Sequence, residues 1–162
     1  MRRLPHIVVL ALVLTLAACS NDGCYDNGSS LPLATFYING THQSIPGLSI
    51  MGIGVPGDSL LANNQSLDEA YLPLRASTSS TSYTLWRMFT TATDTVAVRD
   101  TITLNYEAVP FFHSAECGAM YNFDIKSVRH TSHGIDSVVL LTTLVTNSRT
   151  PALRIHFTDL QQ

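Results

Sequence analysis

From Val96 to Ala108 an apolar or aromatic residue recurs at every second position: Val96, Val98, Ile102, Leu104, Tyr106 and Ala108, with Asp100 the one break in the series. Thr101, Thr103, Asn105 and Glu107 fall between them. Successive side chains of a strand point to opposite faces, so this period of two describes a half-buried strand, with a bend expected at Asp100. Leu153, Ile155 and Phe157 alternate with Arg154, His156 and Thr158 in the same way, as do Tyr121, Phe123 and Ile125 with Asn122, Asp124 and Lys126. Further strands are expected at Leu33–Asn39, Leu48–Val55, Tyr83–Thr90 and Ser137–Val145, which are rich in β-branched and aromatic residues. The last two are apolar on both faces and read as central strands. Turn residues separate these runs at Asn39-Gly40, Pro46-Gly47, Pro56-Gly57-Asp58, Asn63-Asn64, Gly134 and Thr150-Pro151. Ser66-Leu67-Asp68-Glu69 has the form of a helix capping box, but Pro73 limits any helix there to a turn or two. The Ser/Thr run from Ser77 to Ser82 reads as an exposed hairpin loop. Seven to nine short strands with polar turns, and no internal repeat or linker, predict one all-β domain: an antiparallel β-sandwich of two sheets.

The amino terminus is different in kind. Arg2 and Arg3 precede an apolar run from Ile7 to Leu16, and the small residues Ala17 and Ala18 come directly before Cys19. A basic head, an apolar middle and a small-residue cut site make a secretory signal. The run is about a dozen residues, against the roughly 20 that a spanning helix needs. Leu16-Ala17-Ala18-Cys19 resembles the lipobox of bacterial lipoproteins. That resemblance implies cleavage before Cys19, diacylglycerol on its sulfur and a fatty acyl chain such as palmitate on the new terminus; the alternative is an ordinary cleaved signal with a cysteine nearby. The expected organisation is a signal peptide at 1–18, a lipidated segment at 19–30 and a β-sandwich domain at 31–162. Two or three acyl chains, at roughly 0.8 kcal/mol per buried methylene, give stable anchoring. The chain has nine basic and twelve acidic residues, and two of the basic ones lie in the leader. Lys126 is the sole lysine. With no basic patch, nucleic acid is not an expected partner.

Lipid on Cys19 leaves Cys24 and Cys117. Export to an oxidising compartment predicts a disulfide between them, the alternative being two free thiols. The bridge would close a loop of about ninety residues and stabilise the fold by roughly 4–5 kcal/mol. Five residue steps from Cys19 to Cys24 reach at most about 18 Å, so a bridged domain would lie close against the membrane.

Candidate chemistry is sparse. Gly52-Ile53-Gly54-Val55-Pro56-Gly57 matches G-x-G-x-x-G, but Pro56-Gly57-Asp58 reads as a turn where a dinucleotide site needs a helix start. His130 and His133 lie three apart, as do His113 and Glu116. That spacing gathers ligands on a helix and separates them on a strand, so no metal site is expected. No serine sits in a nucleophile elbow. Cys117 beside His113 and Glu116 could attack a substrate only as a free thiol. No cofactor and no catalytic residue are expected, and the chain does not read as an enzyme. Asp58-Ser59-Leu60, Asp94-Thr95-Val96, Asp100-Thr101-Ile102 and Asp136-Ser137-Val138 share the pattern acid, hydroxyl, aliphatic. They resemble a bacterial O-glycosylation triplet, which makes Ser59, Thr95, Thr101 and Ser137 candidate acceptors; the plainer reading is an Asp-closed turn followed by a strand start.

A resemblance covers essentially the whole mature chain. The lipobox followed by Cys24, Leu72-Pro73-Leu74-Arg75, Pro110-Phe111-Phe112 leading into Glu116-Cys117-Gly118, Ile135-Asp136-Ser137-Val138 and Leu153-Arg154-Ile155-His156-Phe157 together resemble a family of uncharacterised bacterial lipoproteins, a domain of unknown function. The resemblance implies lipid anchoring, a bridge between the two matched cysteines and a compact β domain, and it carries no activity. The expected function is a lipid-anchored envelope protein: a non-catalytic module that binds or scaffolds a protein or glycan at the membrane surface. The alternative is a small-ligand lipoprotein. For a sugar, Trp86 with Tyr83, or Tyr71, would have to form an exposed stacking platform. For a divalent cation, Asp22 and Asp26 would have to converge with other oxygens. Ser20 follows Cys19 in place of the aspartate associated with inner-membrane retention, so the outer membrane is the expected location, its face left open.

Overall fold

A computed structural model describes residues 30–54, 59–90, 94–114 and 118–159, apart from the side chains of His113 and Ser114. The described residues form eleven strands and no helix: β1 (Leu33–Ile38), β2 (Thr41–His42), β3 (Ile45–Ile53), β4 (Leu60–Leu67), β5 (Glu69–Tyr71), β6 (Ser80–Thr90), β7 (Thr95–Ser114), β8 (Gly118–His130), β9 (Ile135–Leu140), β10 (Leu144–Val145) and β11 (Pro151–Phe157). One sheet has the order β2-β1-β11-β9, with β5 also paired to β1. The second runs β10-β8-β7-β6-β3-β4. All pairings are antiparallel except β1 with β11, which lie parallel with Phe36 opposite Ile155.

The sandwich follows from the alternation. Ala34, Phe36, Leu153 and Ile155 of the first sheet and Leu48, Ile50, Leu85, Ile102 and Leu104 of the second bury their side chains in one core. Phe36 meets Phe157 edge to face at 5.6 Å between centroids, and Tyr106 meets Phe123 likewise at 5.3 Å. Such pairs stabilise by roughly 0.5–1.5 kcal/mol beyond their burial. The first hairpin turns at Asn39-Gly40, both at positive φ (50° and 76°), which is what a two-residue turn between Ile38 and Thr41 requires.

Several expectations need correction. The segment with capping-box form lies in β4 and β5, because Glu69–Tyr71 pairs with β1. The Ser/Thr run is no hairpin loop: Ser80–Ser82 opens β6, and Thr81 is buried against the Tyr106 hydroxyl. Ser137–Val145 is not one central strand. It divides into β9 and β10, each at the edge of a different sheet. No bulge interrupts β7 at Asp100, whose pairing with β6 runs on continuously through it. The strands are also less uniform than a row of short ones, since β7 spans 20 residues and β8 spans 13, whereas β2 and β10 have two each.

Two buried polar groups lock the connections. The Asp100 carboxylate is 3% exposed. It accepts hydrogen bonds from the Thr131 hydroxyl (2.6 Å) and from the backbone N–H groups of His133 (2.8 Å), Gly134 (2.6 Å) and Ile135 (2.8 Å). His133 Nδ1 lies 3.1 Å away. Asp100 thus ties the middle of the second sheet to the turn that leads into β9 of the first. The Tyr106 hydroxyl accepts from the Arg75 backbone N–H (3.0 Å), donates to the Arg75 carbonyl (2.9 Å) and lies 2.7 Å from Thr81 Oγ1. With Tyr83, whose hydroxyl donates to the Pro73 carbonyl, it pins the crossing from β5 to β6.

Candidate functional site

The topology gives the sandwich two chemically different ends. Because β1 and β11 are parallel, Leu33 and Pro151 mark one end of the first sheet, and Ile38 and Phe157 mark the other. In the second sheet β6 begins at Ser80 opposite Asn105; β7 and β8 continue past it, flanked by β10 at Phe123 and Asp124, and end as a two-stranded ribbon at the pair Ser114 and Gly118.

The ribbon end is apolar. A groove of about 410 Å³ lies between the ribbon and the start of the described chain, lined among others by Leu31, Pro73, Leu74, Met120, Tyr121 and Phe123. Ser30 is buried at its rim and donates a 2.8 Å hydrogen bond to Asn122 Oδ1. Beyond the groove, Phe112 is 71% exposed and Tyr121 is 42% exposed.

The opposite end is polar and aromatic. A second cavity, about 360 Å³, is lined by Gln43, Ser44, Arg87, Met88, Phe89 and Asp159, among others. Arg87 is 7% exposed, with its guanidinium 5.0 Å and 5.1 Å from the rings of Phe89 and Phe157. It donates a 3.1 Å hydrogen bond to the Thr158 carbonyl. Burial holds Arg87 below the ordinary guanidinium value, opposed by the negative charges of Asp159 and Asp100. Near this end, on the outer face of the first sheet, the half-buried Tyr37 ring lies 5.2 Å from each of the His42 and His156 rings, and the Arg154 guanidinium sits 4.8 Å from its centroid. Register explains the cluster: His42 and His156 are the cross-strand partners of Tyr37 on either side.

The residues expected from sequence fare unevenly. Cys19, Cys24 and Cys117, the acids Asp22, Asp26 and Glu116, and the 1–18 leader lie outside the described residues. Tyr83 cannot share a platform with Trp86, because the two sit on opposite faces of β6: Tyr83 is buried, and the Trp86 ring has the Arg99 guanidinium 5.0 Å from it. Tyr71 is exposed on β5, away from both. Gly52 and Ile53 end β3, and Gly54 follows at φ +68°. His130 closes β8, while His133 is engaged with Asp100. Among the described residues no three of His, Cys, Asp and Glu converge to hold a metal. Ser59 and Thr95 are exposed, whereas Thr101 and Ser137 are half-buried within paired strands. Asp100 of the Thr101 triplet is buried, and Asp94 accepts the Thr95 N–H at 2.7 Å where β7 begins. The Tyr37 cluster escaped sequence reading because its members come from three separated strands; the alternation of Arg154 and His156 on β11 was the available signal.

Residues of the quoted motifs carry structure. Leu72 is fully buried, Pro73 and Arg75 receive the two tyrosine hydroxyls, Ile135 donates to Asp100, and Leu153–Phe157 forms most of β11. In comparisons with known proteins, the profile of DUF6452, described as a family of unknown function, matches residues 47–157. No curated protein and no solved structure matches.

Proposed function

The chain belongs to DUF6452, a family of unknown function, and from that premise we propose that it is a lipid-anchored cell-envelope module that binds a partner, without catalysing a reaction, at the end of the sandwich remote from its anchor. One observation carries this reading: Ser30, eleven residues after Cys19, is hydrogen-bonded into the apolar end, and the cavity with Arg87 lies at the opposite end. A chain acylated at Cys19 would therefore hold its polar end away from the bilayer. The outer membrane is the proposed location.

The cysteine bridge belongs to the same reading. Cys24 lies six residues before Ser30, and Cys117 lies five before Asn122, the two residues that are hydrogen-bonded. Six residues reach at most about 21 Å and five at most about 18 Å, so chain length from this contact permits the two sulfurs to meet.

Two measurements on the full-length protein made in its own host test the proposal. Intact mass of the membrane-extracted form should equal a chain starting at Cys19 plus acyl groups; an unacylated start sinks the anchor. The same mass reads any glycan, expected at Ser59 or Thr95 before Thr101 or Ser137. A photo-crosslinking residue in place of Met88, at the remote cavity, should give a discrete adduct that is missing when the probe replaces Leu144 on edge strand β10. Equal labelling at both positions, or none at Met88, refutes recognition at the remote cavity.

A second reading, a sugar ligand, is favoured by Tyr37, a half-buried ring that lies between two imidazoles with the Arg154 guanidinium over it. Binding of envelope glycan fragments by the intact lipoprotein should then fall with Tyr37→Ala; binding unchanged by that substitution excludes the platform.

A further inference from the structure

The apolar ribbon at the anchored end has its own use. We infer that the tip of the β7–β8 ribbon seats in the lipid surface beside the acylated terminus, as a second, non-covalent membrane contact. The inference rests on the lipid-anchor reading above.

The ribbon's composition is the first ground. Val109, Pro110, Phe111 and Phe112 on β7 face Asn122, Tyr121, Met120 and Ala119 on β8. No ionisable carboxylate, amine or guanidinium occurs among these eight residues. Phe112, Tyr121 and Val109 are all substantially exposed. Neighbouring residues of a strand point to opposite faces, so Val109 and Phe112 present apolar surface on both sides of the ribbon. A protein partner docks on one face. A medium that surrounds the tip suits both, and aromatic residues concentrate where a membrane meets water.

A charged collar marks the base of this surface. Glu107 is paired with Asp124 across the ribbon, and Lys126 Nζ lies 3.5 Å from Glu107 and 2.5 Å from Asp124, all in exposed or half-exposed positions. These groups stay hydrated and limit entry to the part of the ribbon beyond them.

The position of the tether is the second ground. Ser30 is hydrogen-bonded to Asn122 on the ribbon itself, and Cys19 is eleven residues upstream, at most about 40 Å of chain. With Cys24 bonded to Cys117, the tether would leave from the ribbon's own connecting turn. With that bridge, the acyl chains would enter the bilayer at the end that carries Phe112.

The test uses the full chain, expressed with its leader, purified as the lipoprotein and reconstituted in phosphatidylethanolamine–phosphatidylglycerol vesicles. In a Trp86→Phe background, Phe112→Trp places an indole at the tip and Val96→Trp places one at the opposite end. Lipids brominated on their acyl chains should quench most of the emission from position 112 and leave position 96 unchanged. Should Trp86→Phe fail to fold, Trp86 is kept and the quenching added over the parent chain is read. Quenching at 112 no greater than at 96 overturns the inference. So does emission from 112 that shifts with protein concentration and not with lipid, which would mean a second copy covers the ribbon. Intact mass of the same samples separates the two failures: an acylated chain with an unquenched tip defeats the ribbon contact alone, and an unacylated chain defeats the anchor together with it.

Discussion

Asp100 gathers the Thr131 hydroxyl and three consecutive backbone N–H groups around one buried carboxylate. Burial alone would raise its pKa; the bonds from His133, Thr131, Gly134 and Ile135 outweigh burial and hold it below the ordinary carboxylate value. A depressed folded-state pKa means stabilisation that is complete above the unfolded value of about 4 and is lost as pH falls through the lower folded one. Urea unfolding across pH 2–7 should therefore show Asp100→Asn less stable by about 2–4 kcal/mol at neutral pH, with the gap to wild type closing in acid. Tyr106→Phe removes the hydroxyl shared by Arg75 and Thr81 and should cost about 1–2 kcal/mol in the same assay. In the sequence Asp100 looks like a flaw in an apolar series. Its partners are 31 to 35 residues away, and a pattern of neighbours carries no trace of them.

At the scale of elements, strands are legible because burial on one face writes a period of two into the chain, as in β7, β8 and β11. Rank within a sheet is not written there. Val138 and Leu140 pack against the core from an edge strand, while Val139 between them is exposed; their apolar run resembles that of a central strand such as β6. The length of β7 beyond β6 is equally hidden, since nothing local tells Tyr106, in the core, from Phe112, outside it. Two substitutions should separate them by thermal and urea unfolding. Ile155→Ala, at a fully buried position of β11, should cost about 2–5 kcal/mol. Phe112→Ser should change stability by less than about 0.5 kcal/mol despite removing an aromatic ring.

For the whole molecule, the parallel pairing of β1 with β11 joins the two ends of the described chain and fixes which end of the sandwich is which. A Cys24–Cys117 bridge would add a second long-range closure. Reducing it should lower stability by about 4–5 kcal/mol, measured by urea unfolding with and without reductant and checked by alkylation mass. By itself the sequence determined the all-β class, most strand positions and the Asn39-Gly40 turn, because each depends on residues close together in the chain; Pro46-Gly47 and Asn63-Asn64, which also read as turns, lie inside β3 and β4. Tertiary structure alone decided that Asp100 clasps a distant turn, that Tyr37 collects His42, His156 and Arg154, and that an apolar ribbon and a polar cavity occupy opposite ends. Each of those is a meeting of residues from separated strands, set by sheet order and register, and local periodicity leaves both open.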